Sequence, residues 1–158
     1  MKRRSFVAIG AVLLLAASLG LAQTEADAKG KNWTITERQD ALKKDIAAGK
    51  WDSSASGHLD SGEDYDACAV REVREEIGLR LTEAPPRLFK LAACAETDQE
   101  HVWVYRCRAE GPFQLDPEEI ERGGWFAPDE VTRWMTERPE DFASALLVIW
   151  RKQIRRGA

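Results

Sequence analysis

The stretch GHLDSGEDYDACAVREVREEIGL, Gly57 to Leu79, decides how the chain is read. Two glycines, an aspartate and a serine stand among its first six residues, so Gly57 to Gly62 is expected as a turn-rich loop. From about Asp64 to Ile77 the apolar residues recur at helical spacing. Gly78 then stops the helix, as glycine does one position past a last turn.

On a helix advancing about 100° per residue, Val70, Val73 and Ile77 share one face, and Glu72, Glu75 and Glu76 fall within about 100° on the other. Like charges at i, i+3 and i, i+4 each cost a few tenths of a kcal/mol, so the carboxylate face opposes folding unless something compensates. A hard divalent cation is a natural compensator. Mg²⁺ takes oxygen ligands, usually one or two carboxylates with waters and substrate phosphates.

An isolated E-x-x-E-E is most often a solvated face. The full spacing argues otherwise: Gly57, five residues, Glu63, seven residues, Arg71-Glu72, apolar Val73, one residue, Glu75-Glu76, one residue, Gly78, apolar Leu79. At average residue frequencies that set arises by chance on the order of once in 10⁹ start points. The stretch resembles a complete Nudix box.

The resemblance implies an α/β fold, a Nudix-type α/β/α sandwich with a mixed central sheet. It implies hydrolysis of diphosphate linkages in nucleoside diphosphate-X substrates with Mg²⁺ or Mn²⁺. Gly57, Glu72, Glu75 and Glu76 become candidate metal ligands, Gly57 through its backbone carbonyl. Glu72 and Glu75 are candidate catalytic carboxylates, Glu72 as the group that orients or deprotonates water. Glu63 would lie near the metal, and Arg71 would hold the glutamates through salt bridges. Bound cations neutralise phosphate oxygens and lower the pKa of water, and a carboxylate within reach takes its proton.

The chain has 158 residues, 44% of them hydrophobic, enough for one domain with one real core. A net charge of −4 argues against a general nucleic-acid binder; the small phosphorylated substrate that the resemblance implies would then be met by bound cations and local arginines. Cys68, Cys94 and Cys107 lack C-x-x-C spacing and read as small core residues.

Residues 1–28 read as a signal-like or anchor segment and 29–158 as the Nudix domain. Lys2-Arg-Arg-Ser-Phe-Val7 opens an uncharged apolar run to Leu21, with small residues near a cut after Ala22 or Ala28. Arg3-Arg4-Ser5-Phe6-Val7 resembles a twin-arginine export signal. The expectation is export, or anchoring through residues 6–22 if uncleaved, with a cytoplasmic protein as the alternative. About 16 apolar residues is slightly short of a membrane span. Residues 23–50 are polar and lysine-rich with little strand alternation, and a short helix is expected around Glu37 to Ala48. Nudix domains place strands before the box, so either the apolar run supplies a sheet element or the sheet lacks its usual N-terminal strands.

Gly49 to His58 resembles the segment before the box in Nudix proteins related to isopentenyl diphosphate isomerase. That isomerase carries a catalytic cysteine where this chain has Ser56, which favours hydrolysis. His58 is a candidate contact to metal or substrate, or a loop histidine bonded within its own turn; Trp51 reads as packing.

Pro85-Pro86 marks a break. Arg87 to Ala95 and His101 to Ala109 read as strands joined by the acidic turn Glu96 to Glu100, where Glu100 and His101 are conceivable ligands but read first as turn residues. Gly123 to Phe126 is a further strand. Many Nudix enzymes draw another carboxylate from the loop before it, which makes Glu118 or Glu119 a candidate, Glu119 as base or ligand. Pro128 to Glu137 and Pro139 to about Arg155 read as helices, the second packing through Phe142, Leu146, Ile149 and Trp150. Two rivals stand beside hydrolysis: an isomerase-like enzyme, and a non-catalytic Nudix fold that binds a nucleotide or partner.

Overall fold

The computed structural model describes residues 9–17, 33–38, 49–109 and 112–157, with side chains described for 49–109 and 112–156. Among these residues seven strands form one sheet, β1 (Ile9–Ala17), β2 (Trp33–Arg38), β3 (Trp51–Asp52), β4 (Ala55–His58), β5 (Arg87–Leu91), β6 (His101–Ala109) and β7 (Ile120–Phe126). Three helices pack on it, α1 (Tyr65–Ile77), α2 (Pro128–Glu137) and α3 (Ser144–Gly157).

The central path runs β3-β2-β1-β6-β5, with β4 on β1 and β7 on β2. β1 lies parallel to β6 over its whole length, from Ile9 opposite His101 to Ala17 opposite Ala109. Its other edge takes β4 antiparallel, from Gly10 opposite His58 to Leu13 opposite Ala55, and meets β2 at Ala16 opposite Trp33. The apolar run thus supplies the sheet element before the box, so the N-terminal strands are present. An uninterrupted apolar run is what a central strand covered on both faces requires.

The helix expected around Glu37 begins instead inside β2, which pairs antiparallel with β7 from Trp33 opposite Phe126 to Arg38 opposite Ile120. Thr34, Ile35 and Thr36 are β-branched and favour extended backbone over helix. The remainder of that expected helix, residues 39–48, lies outside the described residues, as do the proposed cuts after Ala22 and Ala28.

Strand alternation on β6 separates two cores. Val102 and Val104 pack with Phe89, Leu91, Val131, Met135, Phe142, Leu146, Ile149 and Trp150, on the side of α2 and α3. Trp103, Tyr105 and Cys107 pack with Cys68, Ala69, Val73 and Ile77 of α1. Successive residues of a strand face opposite sides, so α1 covers one face and α2 with α3 the other. The architecture is the α/β/α sandwich. Trp51 serves packing, edge-on to Phe126 and Trp134 at ring distances of 5.4 and 5.5 Å. The second long helix starts later than the sequence suggests: Pro139–Asp141 is a 3₁₀ turn, and α3 begins at Ser144.

Candidate active site

The site begins with how α1 is fixed. Asp64 caps it, its Oδ1 accepting from the Ala67 N–H at 2.8 Å. Gly78 closes it in the left-handed region at φ 69°, with the Gly78 and Leu79 N–H groups on the carbonyls of Arg74 and Val73. A second fastening joins α1 to the sheet. The buried Tyr105 hydroxyl donates to Asp66 Oδ1 at 2.7 Å, and Arg87 Nε donates to the same oxygen at 2.8 Å. Arg87 holds the Asp66 carboxyl below its usual range, while burial and then Asp66 push the Tyr105 phenol up, so the hydroxyl remains a donor.

Arg71 is the hub of the box. Its Nε and Nη2 donate to the two oxygens of Glu63 at 3.0 and 2.8 Å, the bidentate geometry a guanidinium favours. Nη1 donates to Glu72 at 2.8 Å and Glu75 at 3.2 Å, and Nη2 also donates to the His58 carbonyl at 2.9 Å. One cationic side chain therefore joins the loop to three glutamates of the box. Hydrogen bonding to Arg71 holds the Glu63 carboxyl below its ordinary value of 4.5, and Glu63 raises the Arg71 guanidinium in return.

Glu72 lies against the backbone of β4. A methyl group placed on Gly57 would come within 1.8 Å of Glu72 Oε1 and 2.0 Å of its carboxyl carbon. A side chain at 57 would therefore displace the Glu72 carboxylate from this position. Burial raises the Glu72 carboxyl above 4.5, against the opposing pull of Arg71. Glu76 is 5% exposed, and its Oε2 accepts the Ser56 N–H at 3.1 Å. Glu75 is half exposed at the outer side, shared by Arg71 and Arg74. Beneath the loop the buried Cys68 thiol faces the carbonyls of His58 and Gly57 at 3.5 and 3.9 Å. All three cysteines are free thiols, and of these only Cys68 is fully buried.

The structure thus gathers Gly57, Glu63, Arg71, Glu72, Glu75 and Glu76; of the three glutamates of α1, Glu72 and Glu75 share Arg71 and Glu76 takes the Ser56 N–H. Among the described residues the His58 ring is bonded neither within its own turn nor to a box glutamate: its Nε2 pairs with Glu100 Oε1 at 2.8 Å, across 42 positions of sequence. Glu119 is exposed. Its loop reaches α1 through backbone, with the Asp116 N–H on the Glu76 carbonyl at 2.8 Å and the Gln114 N–H on Ile77 at 3.1 Å. Asp60, 3.7 Å from Arg71, and the pair of Asp66 with Tyr105 escaped the sequence reading. The periodicity of β6 places Tyr105 on the α1 side, which is the signal that could have found that pair.

Among the described residues no group of three or more His, Cys, Asp or Glu side chains is arranged to hold a metal ion by itself. The oxygen donors at hand are the Glu72 carboxylate over Gly57 and the buried Glu76 carboxylate beside Ser56. That set suits a hard cation which keeps several waters and takes only one or two carboxylates.

The NUDIX domain model matches residues 22–146. A Nudix hydrolase of Yersinia pestis is 36% identical over 108 residues, covering 65% of this chain and 56% of that protein. An isopentenyl-diphosphate Delta-isomerase of Cereibacter sphaeroides is 32% identical over 106 residues, 63% of this chain and 60% of that one. The chain spans between about half and three-fifths of the length of such relatives. Among solved structures, a Deinococcus radiodurans protein superposes with a TM-score of 0.74 at 19% identity, covering 96% of this chain and 88% of that one. The Nudix domain of Shewanella oneidensis NrtR, solved with ADP ribose, gives 0.68 at 12% identity, covering 98% and 91%. Those likenesses carry the fold, and the domain match spans most of the sequence: the chain belongs to the Nudix family.

Proposed function

We propose that this chain hydrolyses the diphosphate linkage of a nucleoside diphosphate-X type substrate, using Mg²⁺ or Mn²⁺ and a water nucleophile. The observation that carries the reading is the Glu72 carboxylate held over the Gly57 backbone by Arg71. Glu72 and Glu76, with the Gly57 carbonyl, are the groups that would hold the cation, and Glu75 would meet it from the exposed side. When bound, the cation supplies charge neutralisation for phosphate oxygens and acidifies the attacking water.

The chain's own residues do the rest. Arg71 fixes Glu72 and Glu75 on one side of the loop and, through Glu63, prevents the loop from moving independently of α1. Glu72, held in place by Arg71 over Gly57, would take a proton as water attacks phosphorus and the bond to the leaving phosphate breaks. Glu75 is the second carboxylate within reach of the same space. Glu119, exposed on the loop whose backbone bonds the end of α1, is the further candidate carboxylate.

The test is release of phosphate or nucleotide from a panel of diphosphates, including ADP-ribose, dinucleoside polyphosphates and prenyl diphosphates. The full chain is compared with Glu72→Gln and Glu75→Gln, and Mg²⁺ binding is measured in parallel. Metal-dependent turnover that disappears in the variants supports the proposal. A folded, metal-binding chain that turns over nothing refutes it and leaves the binding-protein reading. The similarity to an isomerase favours one second reading, isomerisation of isopentenyl diphosphate. Ser56 weighs against it, and the prenyl diphosphate arm decides by whether the product is isomerised or cleaved.

A further inference from the structure

We infer that residues 9–17, despite their leader-like composition, are the strand that positions the catalytic loop and are retained in the working enzyme. The inference rests on the hydrolase reading for its link to activity, and on backbone pairing for the rest. Cleavage after Ala22 would remove β1 altogether. Export of this run as a leader and formation of the sheet therefore compete for the same residues.

The placement of β1 makes that competition consequential. Gly10 and Ala11 lie opposite His58 and Gly57. Those two residues end β4, and their backbone meets side chains of the box: the His58 carbonyl accepts from Arg71, and Gly57 underlies Glu72, while the Ser56 N–H, opposite Val12, meets Glu76. Among the described strands β4 pairs with β1 alone, and four residues of strand have no stability of their own. The opposite edge of β1 carries β6 for nine residues. Without β1 the path from β3 and β2 to β6 and β5 is broken. Both edges of β1 are thus paired along Gly10 to Leu13, so the sheet and a leader cannot use that backbone at the same time.

The test uses the full chain with a specific protease sequence inserted after Ala22, nicked in the folded state. The expected result is that peptide 1–22 stays with the body through gel filtration, with amides of residues 56–58 and 102–108 protected from hydrogen exchange. Displacing the peptide with mild denaturant and removing it should expose those amides and lower turnover about 100-fold, and adding it back should restore both. Loss of the peptide on nicking, with protection at residues 56–58 and turnover unchanged, overturns the inference. So does removal of a retained peptide without effect on protection. In the unnicked chain Ala11→Pro, which deletes one N–H of the strand, should open exchange at residues 56–58. Unchanged exchange there also overturns it. If the full chain cleaves no diphosphate, the hydrolase reading fails while the exchange pattern still decides the role of β1.

Discussion

Replacing Gly57 by alanine tests the geometry of the site most directly. The added methyl would sit 1.8 Å from Glu72 Oε1, 2.0 Å from its carboxyl carbon and 2.6 Å from Oε2. Ordinary van der Waals contact begins near 3.4 Å, so the carboxylate must withdraw by about 1.5 Å. It cannot do so freely, because Oε1 is bonded to Arg71 Nη1 at 2.8 Å and that guanidinium is also clamped to Glu63. Either Glu72 leaves Arg71 or it pulls Arg71 from Glu63. The obstructing atoms are the end of a flexible side chain, so the stability cost should stay at about 1–2 kcal/mol.

The catalytic cost should be larger. Displacing a reacting group by about 1 Å costs on the order of 10²-fold in rate, equivalent to about 2.7 kcal/mol in barrier. The assay is kcat and KM for Gly57→Ala with Mg²⁺ titrated, beside a thermal melt. The control is Gly62→Ala in the same loop, where φ is +87° and no atom lies within 4 Å of the new methyl. That variant should lose about 1–2 kcal/mol to backbone strain with activity nearly intact. A Gly57→Ala enzyme with kcat/KM within about threefold of the parent would refute the argument that Glu72 acts from above Gly57. Equal losses in both variants would assign the effect to loop stiffness instead.

Arg71→Lys keeps the charge but has no fork to hold Glu63 at 3.0 and 2.8 Å while reaching Glu72, so kcat should fall about tenfold or more; steady-state kinetics showing parental kcat would count against the hub. The folded-state pKa of Glu63 is depressed, so its pairing contributes stability above the unfolded value of 4.5 and loses it as pH falls through the lower folded value. Melting temperatures of Glu63→Gln and the parent should therefore differ at pH 6 and converge as pH drops below 4.5, and a constant gap would exclude the linkage. Tyr105→Phe removes a buried donor to the Asp66 carboxylate at 2.7 Å and should cost about 1.5–3 kcal/mol in urea unfolding, with a smaller change expected only if water replaces the hydroxyl.

What the sequence disclosed and what it concealed follow from the range of the interactions involved. α1 was legible because its determinants are local: the cap at Asp64, the apolar spacing of Val73 and Ile77, and Gly78 at φ 69° all lie within one segment. The strands β5 and β6 were legible by alternation, although β5 ends at Leu91. β1 was ambiguous for a physical reason. A central strand covered on both faces and the apolar core of a leader are both short uncharged runs, and only pairing with residues about ninety positions away separates them. The bond from His58 to Glu100 is equally invisible in one dimension.

The carboxylate face is the case where sequence reasoning was right in sign and incomplete in amount. Gathering Glu72, Glu75 and Glu76 on one helix does require compensation, but the protein provides part of it. Arg71 takes Glu72 and Glu75, Arg74 shares Glu75, and the Ser56 N–H meets Glu76. Arg71 also takes Glu63 and lies 3.7 Å from Asp60, so the carboxylates of the box outnumber the arginines that meet them. On the proposed reading, an excess of carboxylates partly paired by Arg71 lets the site hold its shape and still gain from binding a divalent cation. On that reading Arg71 preorganises the carboxylates without neutralising them.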